Sequence, residues 1–221
     1  MASIGSGAAH LASNLRTSLN AVLSALSEPP CAACKAPLRS PLDGSVCAEC
    51  WAKIRRSLPL DEHFDAGHAL RWLRAVDNYA GTMKEIVHAL KYDRRRSISP
   101  RLGGMMRERG AALLQDADCV VPVPLHPLRE YRRGFNQAHD LAIHLGPPVL
   151  PLLKRIAHTH SQIDLPRHER QKNVKNAFAP DKPEGLAIVV LVDDVSTTGA
   201  TLESCARVLK EGGVEEARGL T

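Results

Sequence analysis

One stretch of the chain breaks with simple alternation. Ile188 to Val192 (IVVLV) is a continuous β-branched and apolar run, which suits a strand buried on both faces of a parallel sheet. Downstream, Ala200 to Glu211 carries Leu202, Cys205, Ala206 and Leu209 on one helical face, and Gly212-Gly213 stops the helix. Upstream, Leu70 to Tyr79 predicts a short strand. Thr82 and Glu85 have capping-box spacing ahead of a helix to about Lys91, with Met83, Ile86, Val87 and Leu90 inward. Ser99 as cap and Pro100 in the first turn predict a second helix to about Gln115. Cys119 to Pro124 reads as a strand, and a helix continuing through Leu141 to Leu145 ends at Pro147-Pro148. Val149 to Leu153 and Val214 to Leu220 read as further strands. The fold class is α/β, with a parallel sheet flanked by helices. At the start, Leu11, Leu15, Leu19, Val22, Leu23 and Leu26 share a helical face, predicting a helix docked on the rest of the chain. Residues 51 to 70 are mixed and read as a link.

Composition adds bounds. A length of 221 residues allows one ordinary domain and a small appendage, and 44% apolar content supports a core. The net charge of +5 fits an anionic ligand and fits nucleic acid equally well. No apolar run approaches the ~20 residues a membrane span needs, and the N-terminus lacks the basic start and continuous apolar segment of a signal peptide.

Four of the six cysteines form two knuckles, Cys31-Ala-Ala-Cys34 and Cys47-Ala-Glu-Cys50, with twelve residues between them. That spacing places four thiolates in tetrahedral reach of one structural Zn²⁺. Disulfides need an oxidising compartment, for which the chain carries no export signal, and a redox CxxC works as a single copy after a strand. Cys119 and Cys205 fall in apolar strand and helix patterns and read as small core residues.

The chemistry centres on the residues just after the Ile188–Val192 strand. Asp193 and Asp194 sit at its end, and Val195, Ser196, Thr197, Thr198, Gly199, Ala200 and Thr201 lead into the helix. Unpaired N–H groups and the helix dipole attract a phosphate there. The carboxylates repel phosphate but suit its neighbour, a vicinal diol or a divalent cation. A phosphate beside a diol describes a ribose 5-phosphate. Further upstream, Val123, Pro124 and His126 leave a strand, and Arg129, Arg132 and Arg133 lie within one helical turn ahead of Gly134. Arginine forks match phosphate oxygens, so a pyrophosphate site is the sharper reading there; an exposed basic helix start is the plainer one. Lys154 to Phe178, with Arg155, Thr159, Gln162 and Arg170, is polar and basic, as a lid would be.

Val189 to Thr201 resembles the 5-phosphoribosyl-1-pyrophosphate (PRPP) signature of type I phosphoribosyltransferases, position by position. With the cysteine knuckles, Lys91-Tyr92, Pro124 to Gln137 and Arg155 to Phe178, nearly everything after residue 30 resembles the ComF family of competence proteins. The resemblance implies a type I phosphoribosyltransferase fold, a Rossmann-like parallel sheet behind an N-terminal zinc ribbon. It divides the chain into an N-terminal helix (1–30), a zinc ribbon (31–58) and a phosphoribosyltransferase domain (70–221). It implies that Asp193 and Asp194 hold the ribose hydroxyls, that Val195 to Thr201 wraps the 5-phosphate, and that Val123 to His126 faces the pyrophosphate with Mg²⁺. It also implies a cytoplasmic bacterial protein tied to uptake or use of DNA. Two functions are implied: phosphoribosyl transfer to an unidentified nitrogen acceptor, or a PRPP- or nucleotide-sensing adaptor that binds single-stranded DNA or a competence helicase. The chain has no GxxxxGK[ST] loop, so it is not itself that helicase.

Overall fold

The computed structural model describes residues 15, 17–19, 22, 29–38, 42, 44–156, 177–181 and 185–221. Its centre is a five-stranded sheet in the order β1-β2-β7-β6-β3. The strands are β1 (Leu60–His63), β2 (Leu70–Ala75), β3 (Cys119–Pro122), β6 (Ile188–Val192) and β7 (Glu216–Leu220). All pairings are parallel except β1 with β2, an antiparallel hairpin at one edge. A separate antiparallel ribbon pairs β4 (Leu153–Arg155) with β5 (Phe178–Pro180).

The continuous apolar run of β6 is explained by burial on both faces. Val190 and Val192 pack into one core with Val120, Leu220 and the helices α2 (Gly81–Tyr92), α3 (Ser99–Arg109) and α6 (Gln137–Ala142). Val189 and Leu191 face the other way, into a core with Val121, Ala217, Phe178 and Leu202, Cys205, Ala206 and Leu209 of α7 (Ala200–Glu211). The first core also takes Cys31, Leu38, Val46, Cys50, Trp51 and Ile54, so α1 (Ala48–Arg56) and the cysteine knuckles pack against α2 and α3. The remaining helices are short: α4 (Ala111–Leu114) and α5 (Pro127–Arg133).

Several expected boundaries shift. Residues 60–63 are a strand within the stretch read as a link, and all four are exposed. Helix α2 is capped at Ala80 with no side-chain cap bond, so Thr82 lies inside the first turn. Ser99 does not cap α3 either: a 3₁₀ turn at Arg96–Ile98 runs into the helix, and Pro100 sits in the first turn as expected. Helix α3 stops at Arg109. A Cβ on Gly110 would stand 2.7 Å from Leu220 Cδ2 and from Met106 O, so only glycine lets the helix end this close to β7. Val149 makes an isolated parallel bridge to Val120, and the ladder of β4 begins only at Leu153. Pro147, Pro148 and Pro151 lack the N–H donors a ladder needs. Of the N-terminal helix, Leu15, Leu19 and Val22 are helical but substantially exposed, so these positions do not show the docked face. No helix among the described residues is long and apolar enough to cross a membrane.

Candidate functional site

Strand β6 delivers Asp193 and Asp194 to the carboxyl edge of the sheet, where Asp193 N–H still bonds Leu220 O at 3.3 Å. The next residues turn sharply. Asp194 N–H folds back onto Asp193 Oδ1 (2.8 Å), and Gly199 N–H donates to Ser196 Oγ (3.2 Å). Gly199 caps α7 with φ +69°, a left-handed conformation that costs an L residue about 1–2 kcal/mol. An added Cβ there meets only Phe64 Cζ, at 4.0 Å, so the need for glycine is in the backbone rather than in protein crowding. The amides of Val195, Ser196, Thr197 and Thr198 donate to no described group. They form a run of donors ahead of a twelve-residue helix, the arrangement that receives an oxyanion.

The carboxylates have a counter-charge. Lys91 Nζ on α2 lies 2.9 Å from Asp194 Oδ2, and the side chains of Lys91 and Asp194 are only 15% and 4% exposed. The contact is ionic rather than an aligned hydrogen bond, and Oδ2 receives no directed donor among the described residues. Burial and then the neighbouring Asp194 charge push Asp193 well above the usual carboxylate range, against the pull of Lys91. Burial acts to lower the Lys91 pKa, but the charge of Asp194, with that of Asp193 behind it, outweighs burial and leaves Lys91 raised. The site therefore stores one compact ammonium against a carboxylate pair.

Two other loops meet this one. Val123 N–H donates to Val192 O (2.9 Å), so the Val123–His126 loop leaves the sheet beside the Asp pair, and Asn136 Nδ2 holds Val123 O at 3.0 Å. Val76 to Tyr79, after β2, lines a cavity of about 310 Å³ together with Asp194 to Thr197. Its floor is apolar, with Met83, Val87, Leu102, Met106 and Leu141. Above the helix end, Glu203 accepts from the amides of Ala69 and Leu70, both at 3.0 Å, and so fixes the β1–β2 hairpin and Phe64 over the loop.

The arginines divide. Arg155, at the end of β4, lies 5.3 Å from the Phe178 ring; burial lowers its pKa, and the nearby Arg129 charge adds to that. The Arg133 guanidinium is engaged, bonding Gln137 and lying 5.4 Å from the Tyr92 ring, whereas Arg132 takes part through its backbone carbonyl, which accepts from Arg94 (2.8 Å). His126 caps α5, its Nδ1 accepting from Leu128 N–H at 3.2 Å. Of the expected lid residues, Thr159, Gln162 and Arg170 lie outside the described residues.

The cysteines of the two knuckles converge. The four Sγ atoms lie within 4.8 Å of one another, with Cys31–Cys50 at 4.0 Å and Cys34–Cys47 at 3.8 Å. Tetrahedral Zn–S bonds of ~2.3 Å demand sulfur separations near 3.8 Å, so the donor set fits a metal ion such as zinc. Burial acts to raise the Cys31 pKa, but backbone amides of Cys47, Cys34 and Ala33 outweigh it and bring the thiol to about 6. Burial pushes Cys50 far up. Cys119 and Cys205 are fully buried in the core, as their patterns predict.

No family model matches the chain. Relatives do. It is 32% identical over 194 residues to the DNA utilization protein YhgH of Salmonella typhimurium, covering 83% of this chain and 85% of that protein. It is 35% identical over 178 residues to the competence protein ComFC of Bacillus subtilis, covering 76% and 68%. The chain belongs to the ComF family. A third ComF relative, competence protein F of Haemophilus influenzae, is 42% identical over 107 residues, 45% of this chain and 47% of that one.

The structure adds residues to those the ComF pattern singled out. Lys91 was legible only as part of a Lys-Tyr pair, although its position, four after Val87 on the apolar stripe of α2, marks a lysine drawn into the core. Asp77, Asn78 and Tyr79 had no sequence signal of their own. Glu203 lies within the helix pattern, where nothing announces its bonds to Ala69 and Leu70.

Proposed function

We propose that this ComF-family chain binds PRPP and transfers its phosphoribosyl group to a nitrogen acceptor, on a type I phosphoribosyltransferase fold. The observation that carries the reading is the run of amides at Val195–Thr198 that donate to no described group, directly after Asp193 and the ion-paired Asp194 and beside the Val123 loop. The amides and the α7 N-terminus receive the 5-phosphate, the acid pair the ribose hydroxyls, and the Val123–His126 loop with Arg129 the pyrophosphate. The acceptor nitrogen bonds to C1 while the C1–oxygen bond breaks. The pyrophosphate leaves with that electron pair, and the nitrogen gives up its proton. The ribose passes through a cation-like state, so fixed charge and positioning carry the step. The carboxylates do not fit a protein-bound Mg²⁺ as they stand, because Asp194 faces Lys91 and Asp193 is pushed towards its neutral form. In this reading Mg²⁺ would accompany the pyrophosphate and offset its charge. In this reading residues 31–58 are the zinc-binding segment and residues 70–221 the transferase segment.

A second reading is a PRPP- or nucleotide-sensing adaptor. It draws on the exposed face where Arg133 covers Tyr92 beside Arg94, with Arg132 and the 86%-exposed Tyr131 on α5. Arginines beside aromatic rings suit single-stranded nucleic acid, and the relatives' names, DNA utilization and competence, point to a DNA-linked role. Pyrophosphate release from PRPP with Mg²⁺, measured across a panel of bases and amines, separates the two. Release with one acceptor supports transfer. Tight PRPP binding with no release from any of them leaves the adaptor.

A further inference from the structure

Arg109, the last residue of α3, joins two parts of the molecule that the proposed chemistry leaves separate. Its guanidinium donates to the carbonyls of Ile54 (2.9 Å) and Arg55 (3.0 Å) and to Ser57 Oγ (3.3 Å), and it also bonds the carbonyl of Val76. Ile54 and Arg55 lie in the last turn of α1, where the Ile54 carbonyl also accepts from Ser57 N–H (3.1 Å) and Ser57 Oγ (2.6 Å). That helix begins at Ala48, directly after Cys47, and carries Cys50. Val76 opens the segment whose Asp77, Asn78 and Tyr79 line the 310 Å³ cavity with Asp194 to Thr197.

The remaining restraints make Arg109 the connecting part. Within the segment the bonds are local, Asn78 N–H to Asp77 Oδ1 (2.7 Å) and Ala80 N–H to Asn78 O (2.7 Å). Among the described residues its outward hydrogen bonds are at Val76, whose N–H reaches Thr221 O (2.8 Å) and whose carbonyl meets Arg109; beyond these, the Val76 side chain packs in the core and the Tyr79 ring meets Lys91 Nζ at 5.9 Å. Arg109 is itself held, because its carbonyl accepts from Arg74 (2.7 Å), and Arg74 is pinned by both oxygens of Asp61 (2.6 and 2.7 Å). The nine-residue α1 is a lever about 13 Å long. A metal ion held by Cys47 and Cys50 would fix its start, while Arg109 bonds its end.

We propose that Arg109 is a positioning residue that couples the metal-held Cys31/Cys34/Cys47/Cys50 cluster to the Val76–Tyr79 wall of the cavity. A planar guanidinium spans the α1 carbonyls and Val76 together, which a lysine ammonium cannot do. With the metal in place the wall is held against Asp194–Thr197. Without it the end of α1 shifts, and Val76 loses one of its two anchors. Only the ligand arm of the test rests on the PRPP-site reading.

The test is amide hydrogen exchange, followed by NMR on the zinc-loaded full chain before and after chelation. Val76 and Ala80 should exchange several-fold faster once zinc is removed, while Val120 in β3 and Val190 in β6 hold their rates. Arg109→Gln and Arg109→Lys should show the faster Val76 and Ala80 rates with zinc still bound, and no further rise on chelation. Unchanged rates in the parent on chelation overturn the coupling. So does an equal rise in Arg109→Gln, and so does a rise shared by Val120 and Val190, which makes the metal a support of the whole domain. In the ligand arm, ribose 5-phosphate should slow zinc extraction several-fold in the parent but not in Arg109→Gln, because coupling between sites is reciprocal. If ribose 5-phosphate does not bind the parent at all, the PRPP-site reading fails, while the exchange rates still decide the coupling.

Discussion

Lys91→Met keeps the length of the side chain and removes the ammonium that stands 2.9 Å from Asp194 Oδ2. At that separation two unit charges attract by about 6 kcal/mol at an effective dielectric of ~20. Burying both ions offsets most of this, so the net worth of the pair is small. The loss on truncation is not small, because Asp194 keeps its burial and loses its partner, and removing one member of a buried pair costs about 3–5 kcal/mol. The carboxylate pair escapes part of the penalty by taking up a proton. Its folded-state affinity for protons then exceeds that of the unfolded chain, whose aspartates titrate near pH ~4. Stability is therefore lost as pH rises above that value, and the gap from the parent is widest at alkaline pH. Urea unfolding of both proteins at pH 8 and pH 4.5 reads this directly, with the gap near its full size at pH 8 and clearly smaller at pH 4.5. Adding Asp194→Asn to Lys91→Met should restore most of the loss, as coupled partners do in a double-mutant cycle. A gap below 1 kcal/mol at pH 8, or the same gap at both pH values, refutes the account of Lys91 as the counter-charge.

Three further outcomes rest on the same geometry. Purified protein should hold about one zinc per chain by metal analysis, and Cys34→Ser should lose it. Gly199→Ala should cost about 1–2 kcal/mol in stability, since the strain lies in φ +69°; calorimetry should show ribose 5-phosphate binding weakened at least tenfold, and unchanged binding removes the phosphate assignment. Asp194→Asn should keep binding of inorganic phosphate while ribose 5-phosphate loses about 1.5–3 kcal/mol, and equal losses for both ligands count against a diol-binding role.

The parts legible in the sequence were those with a periodic or spaced signal. Strand β6 and helix α7 stand where the unbroken apolar run and the Leu202/Cys205/Ala206/Leu209 face put them, and the cysteine spacing closes into a cluster. What stayed hidden depends on long-range partners. Strand β1 reads Leu-Asp-Glu-His with no buried face, and only pairing with β2 makes it a strand. In β7, Arg218 looks like a surface residue but is 8% exposed, held by Asp116 and Glu216. Lys91 carries no charge partner in its own helix, and Arg109 reads as an ordinary basic helix end; both acquire their meaning from groups far along the chain.

The position of β7 also has a consequence for how the sheet is made. Leu73 of β2 pairs with Gly219, and Leu191 of β6 pairs with the same residue from the other side. The two halves of the sheet therefore share no ladder until residues 216–220 slot between them. Before that, the chain holds two partly formed sheets with raw inner edges, one of them the β-branched run of β6. Such edges recruit strands from other molecules, and closing a gap this distant in sequence is slow. A nascent chain of this protein stays aggregation-prone until residues 216–220 emerge and close the gap between the two halves.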